Sequence, residues 1–239
     1  LDLLIVFFIF LSALIESELI EAIEQELPSL PYAFRSRQGK KKLQLNKGCA
    51  KFPPFRNIKY HNQYWQTFEH QNVTMHIFGA YYDNRPAVDE GKVIRLLVMM
   101  NGYNVNLTDV HLQVWFDETP QPSFANWTHN RSPWPSYFGV NPRNFFPMVL
   151  TFPMPNQTLS WIPQAVSMVS NICHTANNVQ KVIYESLTNG TEQGEVAICV
   201  KGLDFPYVDW SVRMVEWLEL QKLLGAEKVS VRFRIIRKS

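Results

Sequence analysis

Three textures of apolar and polar residues follow one another along the chain. Leu3 to Ile15 (LLIVFFIFLSALI) is apolar except for Ser12, and at ~1.5 Å per residue it spans roughly 20 Å, short of the ~30 Å hydrocarbon core. The chain begins at Leu1 and not at Met, so the run reads as a membrane helix or a signal-peptide core whose start lies outside the sequence. Ala13-Leu14-Ile15-Glu16 holds no A-x-A cleavage pattern, which favours an uncleaved anchor. Glu16 to Leu27 carries five Glu with Leu19, Ala22, Ile23 and Leu27 at helical spacing, predicting an amphipathic continuation that Pro28 and Pro31 stop. Arg35, Arg37, Lys40, Lys41, Lys42 and Lys47 follow without an acid, the texture of a solvated linker.

From Tyr60 to Trp161 the pattern is β. Val73 to Tyr82, Lys92 to Met100, Val110 to Phe116 and Pro147 to Phe152 are rich in Val, Ile, Met and aromatics, and turn-prone stretches such as Asp83-Asn84-Arg85-Pro86 separate them. Val110, Leu112, Val114 and Phe116 alternate with His111, Gln113 and Trp115, predicting one buried face. Antiparallel strands without an intervening helix predict a small sandwich.

The third texture is α/β. Glu195 to Lys201 (EVAICVK) predicts a short strand, Gly202 to Asp209 a loop, and Trp210 to Leu224 a helix, with Met214, Trp217, Leu218 and Leu224 as its apolar stripe. Asp209 is placed to cap that helix and Gly225 to end it, and Lys228 to Ile235 predicts a second strand. A strand–helix–strand unit needs further strands to complete a sheet. The expected class is therefore mixed α+β: a membrane helix and stem over 1–27, a basic linker over 28–59, a β-sandwich-like region over 60–194 and an incomplete α/β unit over 195–239.

Composition narrows the function classes. The 239 residues are 46% hydrophobic and 18% charged with a net charge of +2, so a core can form and a dedicated nucleic-acid binder is excluded. No G-x-G-x-x-G, G-x-x-x-x-G-K-[ST] or G-x-S-x-G occurs, which removes the dinucleotide fingerprint, the P-loop and the nucleophile elbow. N-x-[ST] occurs at Asn72, Asn106, Asn126, Asn130, Asn156 and Asn189, where chance gives roughly two, and Pro133 weakens the Asn130 site. The excess predicts glycosylation at Asn72, Asn106, Asn126, Asn156 and Asn189 on a lumenal or extracellular body.

The remaining candidate chemistry is thin. The six His form no H-x-x-x-H and the Cys no C-x-x-C, so no metal site is expected in this chain. Cys173 and Cys199 flank a predicted hairpin, Val179 to Tyr184 then Glu195 to Val200, which makes them the candidate disulfide. Glu216 and Glu219 lie on one helix face and read as surface ion-pair formers before they read as paired catalytic carboxylates. The loop Lys201-Gly202-Leu203-Asp204-Phe205-Pro206 leaves the C-terminal end of a strand, where α/β sheets bind ligands.

Val196 to Val229 (VAICVKGLDFPYVDWSVRMVEWLELQKLLGAEKV) resembles the opening strand, loop and helix of the catalytic domain of glycosyltransferase family 92. FGAYYDNRP (Phe78 to Pro86), KVIRLLVMM (Lys92 to Met100), QVWFDE (Gln113 to Glu118) and PQAVSMVSNIC (Pro163 to Cys173) resemble its N-terminal β region in the same order. The resemblance implies a single-pass type II Golgi membrane protein with a lumenal GT-A domain. That domain transfers a hexose, commonly galactose from UDP-galactose, to a glycan acceptor with Mn²⁺. It also implies that Val200, Lys201, Gly202 and Asp204 line the nucleotide-sugar pocket. The family's D-x-D-like metal motif has no counterpart in this chain, which reads as a fragment inactive by itself, and Leu112 and Phe152 stand where the family commonly carries Cys. The competing expectation is a non-catalytic lumenal or extracellular membrane glycoprotein, a binding module or pseudoenzyme.

Overall fold

The computed structural model describes residues 18–40, 49–85, 91–103, 105–134, 144–184, 196–203 and 207–233. Two compact units divide the chain, residues 1–184 and 185–239. The apolar run Leu3 to Ile15 lies outside the described residues, and among those described no helix is long and apolar enough to cross a membrane.

Among the described residues nine strands build the first unit: β1 (Gln66–His70), β2 (Val73–Asp83), β3 (Val93–Met100), β4 (His111–Trp115), β5 (Ser123–Asn126), β6 (His129–Arg131), β7 (Phe146–Pro153), β8 (Ala165–Val169) and β9 (Gln180–Ile183). They form one sheet in the order β5-β4-β8-β9-β2-β3-β7-β6, with β1 added on β2. This corrects both the mixed α+β class and the sandwich, since the described residues are mainly β and the strands of the first unit belong to a single curled sheet. Alternation along a strand reports that one face is buried and is silent on which strands pair. The joining strand is β9, which runs parallel to β2 (Ala80 opposite Val182) and antiparallel to β8 (Ala165 opposite Lys181). Its buried Gln180 is followed by the exposed Lys181, a short segment without a strong apolar signature.

The curl wraps one core. Met75, Ile77, Leu96, Val98, Leu112, Val114, Leu150 and Met168 come from both halves of the sheet and belong to a single buried cluster. Leu112 and Phe152 are both fully buried in it.

The predicted one-sided burial of β4 is also corrected. Val114 and Phe116 point into the main core, but Gln113 and Trp115 are buried too. The covering layer is the segment expected to be a linker. Residues 18–26 form helix α1 and Tyr32–Lys40 form helix α2. Leu30 and Phe34 pack with Trp115, Ala165 and Val179 in a second cluster against which Phe52 lies, its ring 5.0 Å from that of Trp115. Gln38 donates to the Phe116 carbonyl at 3.2 Å, and Arg37 meets Asp117 at 3.4 Å. Glu24 of α1 accepts from the Ala33 N–H at the start of α2 and pairs with Lys181 at 2.9 Å. Those positions favour a carboxylate because the first amides of a helix have no internal partner.

Gln66 secures the same side. Its amide donates to the Val179 carbonyl at 2.7 Å and to Ser29 Oγ at 3.0 Å, and its oxygen accepts the Val179 N–H at 2.7 Å. One buried side chain thus stands in for missing ladder bonds between β1 and the approach to β9.

Cys49 and Cys173 form the disulfide, their Cα atoms 4.5 Å apart across 124 residues of sequence. This overturns the predicted Cys173–Cys199 bond. The hairpin that was to juxtapose those two does not form: β9 belongs to the large sheet, and the strand carrying Cys199 pairs elsewhere. Cys199 is free and exposed.

Candidate functional site

The second unit is built from β10 (Val196–Leu203), helix α3 (Ser211–Leu223) and β11 (Ala226–Phe233). Val196, Ile198 and Val200 favour an extended backbone. The carboxylate of Asp209 accepts the Ser211 N–H at 2.9 Å, and hydrogen bonding to Ser211 holds this exposed carboxyl below the usual Asp range. The expected cap is thus displaced: Trp210 holds the N-cap position without a side-chain bond, and Asp209, one residue earlier, engages the first helical amide. At the other end the Leu224 N–H returns to the Leu220 carbonyl, and Gly225 follows at φ +91°, a backbone that glycine adopts without penalty. The chain then runs into β11 parallel to β10, a pairing that requires such a crossover.

The register of this pair is uneven at the candidate loop. Val200 faces Val231 and Leu203 faces Phe233, so β10 carries one residue more than β11 across Lys201 and Gly202. An extra residue in one strand bends it and re-aims its side chains, and such bulges gather beside functional sites. Sequence reasoning placed Lys201 and Gly202 in or at the mouth of a loop; they lie on the strand, at this irregularity. Asp204 lies outside the described residues.

A cavity of about 670 Å³ opens between strand and helix. Val200 and Leu203 line it from β10, and Trp210, Met214, Trp217 and Leu220 line it from the helix side, with Arg213 and Glu216 as its charged members. The Arg213 guanidinium lies 5.3 Å from the centroid of the Trp210 ring, within cation–π range. An indole-walled groove with one guanidinium suits a flat ring attached to negative charge. Of the predicted pocket residues, the structure puts Val200 on this wall. The two Trp and Arg213 were legible only as helix residues, although Trp210, Met214 and Trp217 recur at the spacing that keeps one helix face together. Glu219 is exposed on α3 and does not line the cavity.

Among the described residues no group of three or more His, Cys, Asp or Glu could hold a metal ion. The described residues therefore offer no ligand set for Mn²⁺.

The sequon asparagines sit on the β unit's surface. Asn72, Asn106, Asn126 and Asn156 are exposed, and Asn189 lies outside the described residues. Asn126 Oδ1 accepts from His111 Nδ1 at 2.8 Å, a contact that leaves the amide nitrogen, where a glycan would attach, unengaged by that bond. Asn156 is followed by a buried Thr158 whose hydroxyl donates to the Pro155 carbonyl at 2.9 Å.

Comparison with known proteins bears on the second unit. Residues 194–238 match the model of glycosyltransferase family 92. The upstream segments that resemble the same family, from Phe78 to Cys173, fall outside the matched residues. No curated protein and no solved structure matches the chain. The match spans β10, α3 and β11 together with the cavity between β10 and the helix, and supports a glycosyltransferase, which acts on a sugar donor and an acceptor. Residues 194–238 are thus the part of the chain that is similar to glycosyltransferase family 92.

Proposed function

We propose that the cavity between β10 and α3 receives the nucleotide of a UDP-sugar, and that the protein serves the transfer of a hexose, galactose from UDP-galactose, to a glycan acceptor in the Golgi lumen. The observation that carries the reading is the coincidence of the family match with this cavity. Uracil is a flat ring, and the indoles of Trp210 and Trp217 offer faces on which such a ring stacks. Arg213 supplies positive charge beside it, where departing diphosphate accumulates negative charge. Lys201 lies in sequence between the lining residues Val200 and Leu203 and is proposed as the second cation.

Mn²⁺ is the cofactor this reading carries, and when bound it would neutralise charge on the leaving diphosphate. No described group of residues fits it. The lumenal address is supported by the exposed sequon asparagines on the β unit.

A direct test measures UDP-galactose binding to the full chain by quenching of tryptophan fluorescence. Binding that Trp217→Ala weakens about tenfold, the equivalent of one stacking contact, supports the reading. Absence of UDP-galactose binding, or binding that Trp217→Ala leaves unchanged, overturns it. The protein would then be read as a non-catalytic lumenal or extracellular glycoprotein, a binding module or pseudoenzyme, which the independently packed β unit favours.

A further inference from the structure

The strand order of the first unit begins with β5 and ends with β6, and in sequence Trp127 and Thr128 alone separate these two strands. The segment from Ser123 to Arg131 therefore ties the two ends of the curled sheet together. Its ladders are short: β5 pairs with β4 through four residues and β6 with β7 through three. The joint is held by the Thr151 carbonyl of β7, which accepts both the Thr128 N–H and the Thr128 hydroxyl at 3.1 Å. Inside, the segment contributes Ala125 to the main core, with Trp127 packed against it. A seam secured by so little gains from any contact added on its outer face.

Asn126 lies in this seam, as the acceptor of the sequon Asn126-Trp127-Thr128. With Ala125 turned to the core, Phe124 and Asn126 share the opposite face of β5, because residues two apart on a strand point the same way and stand about 7 Å apart. Across the ladder Asn126 is opposite His111 and Phe124 is opposite Gln113. The bond from His111 Nδ1 to Asn126 Oδ1 pins the amide plane, and among the described residues the amide nitrogen has no partner. Gln113 is fixed in turn, since its amide donates to the Ile172 and His174 carbonyls at 3.0 and 2.8 Å. Asn126 is exposed and Phe124 half-buried. The rings of His61, His76 and Phe145 stack on one another, whereas among the described residues Phe124 stacks on no other ring.

No other predicted acceptor has this setting. His70, Asn104, Met154 and Leu187 stand two positions before Asn72, Asn106, Asn156 and Asn189, and Met154 belongs to the core. A phenyl face is electron-rich and attracts the polarised C–H bonds on the flat side of a pyranose. At a spacing of two strand residues, that face lies within reach of the first sugar carried by Asn126.

We propose that Asn126 carries an N-glycan whose first N-acetylglucosamine seats on the Phe124 ring and clamps the seam between β5 and β6. Attachment joins the Asn126 amide nitrogen to C1 of the sugar and breaks the bond from C1 to the diphosphate of a polyprenyl-diphosphate-linked oligosaccharide. The lipid diphosphate leaves, and the amide gives up one proton. In the folded chain the sequon hydroxyl of Thr128 is engaged by Thr151, so the sugar is added before β6 docks on β7. The proposal rests on the lumenal address of the β unit and is independent of UDP-sugar binding.

The test produces the full chain in a eukaryotic secretory host and in a bacterial host that attaches no such glycan, and reads the occupancy of each sequon by mass spectrometry. Asn126 is expected to be occupied, with the protons of its first sugar moved upfield by the Phe124 ring current. Asn126→Gln should lower the Tm of the glycosylated protein by roughly 2–4 °C, the size of one ring contact in a chain of this length. The bacterial protein should lose less, the part owed to the His111 bond. Phe124→Leu keeps an apolar side chain and removes the ring, and in that background Asn126→Gln should cost the same from either host. Trimming every glycan to its first sugar should leave Tm unchanged. The proposal is overturned if Asn126 is unoccupied while other sequons are occupied, if Asn126→Gln costs the same in both hosts, if the extra cost survives Phe124→Leu, or if trimming removes it. Should Phe124→Leu fail to fold, unshifted first-sugar protons in the parent chain overturn it by themselves. A chain with every sequon empty overturns the lumenal reading as well, and UDP-galactose binding by the same material judges the transferase reading separately.

Discussion

The β unit and the β10–α3–β11 unit solve the burial problem to different degrees. In the β unit Met75, Leu96, Leu112, Phe116 and Phe152 are fully buried, and α1 and α2 cover the second face of β4. In the second unit α3 buries no residue completely, and Val212, Leu223 and Leu224 are 70%, 84% and 72% exposed. Local sequence signals are equally strong in both: β-branched runs, an Asp at the helix start, a Gly at its end. What differs is the number of layers that each element packs against. A helix laid on two strands has one partner, whereas β4 has a sheet neighbour on each edge and a layer on each face. Propensity and capping suffice to define an element, but stability comes from the layers.

Truncation of side chains breaks this comparison most sharply. Phe116→Ala removes a fully buried ring and should lower the stability of the β unit by about 3–5 kcal/mol. Leu223→Ala in α3 should cost less than about 0.5 kcal/mol. Urea unfolding of the two variants, followed by circular dichroism, measures both. Equal costs would show that the second unit has a core as complete as the first.

The disulfide sharpens the same contrast. Cys49–Cys173 closes a loop of 124 residues in the β unit, and Cys49→Ser with Cys173→Ser should destabilise it by about 2–4 kcal/mol. Cys199→Ser should leave thermal unfolding unchanged, because that thiol is exposed and unbonded. Thiol labelling of the native protein should find Cys199 and spare the other two.

The smallest expected effect is one of pH. Hydrogen bonding to Arg85, reinforced by its charge and that of Arg95 against the opposing effect of burial, lowers the Asp83 carboxyl to about 2 from an ordinary 3.8. A carboxylate whose pKa is depressed by folding contributes stability that is complete above about 4 and is lost as pH falls through about 2. Asp83→Asn should therefore flatten the acid limb of the β unit's stability curve between those values, by no more than about 1 kcal/mol because Arg85 is largely exposed. Chemical denaturation of the parent and the variant across that range reads the difference.

Much of the local structure was legible in advance. The segments predicted as strands over 73–82, 92–100, 110–116 and 147–152 appear as β2, β3, β4 and β7 within a residue or two, and the helix over 210–224 appears as α3 between Asp209 and Gly225. Other features left no local mark. The short strands β5 and β6 hold few apolar residues, and β8 is buried at all five positions, so neither kind alternates. The basic helix α2 has almost no amphipathic contrast, yet it docks through Phe34 and Gln38. Spacing of Cys along the chain favoured the pair closest in sequence, while folding joined Cys49 and Cys173 across 124 residues. In the candidate site, Val200 was readable from the family resemblance, but the cavity wall of Trp210 and Trp217 and the bulge at Lys201–Gly202 needed the pairing of β10 with β11.

The sequence by itself determined where the backbone runs extended or helical, where α3 begins and ends, and that residues 196–229 resemble a glycosyltransferase, because each of these rests on side chains within a few positions of one another. Tertiary structure alone decided that β9 joins two half-sheets into one, that Cys49 meets Cys173, and that His61, His76 and Phe145 stack on one outer face. Those outcomes depend on strand order and register, which are set by how separate segments share a core and not by the pattern within any one of them.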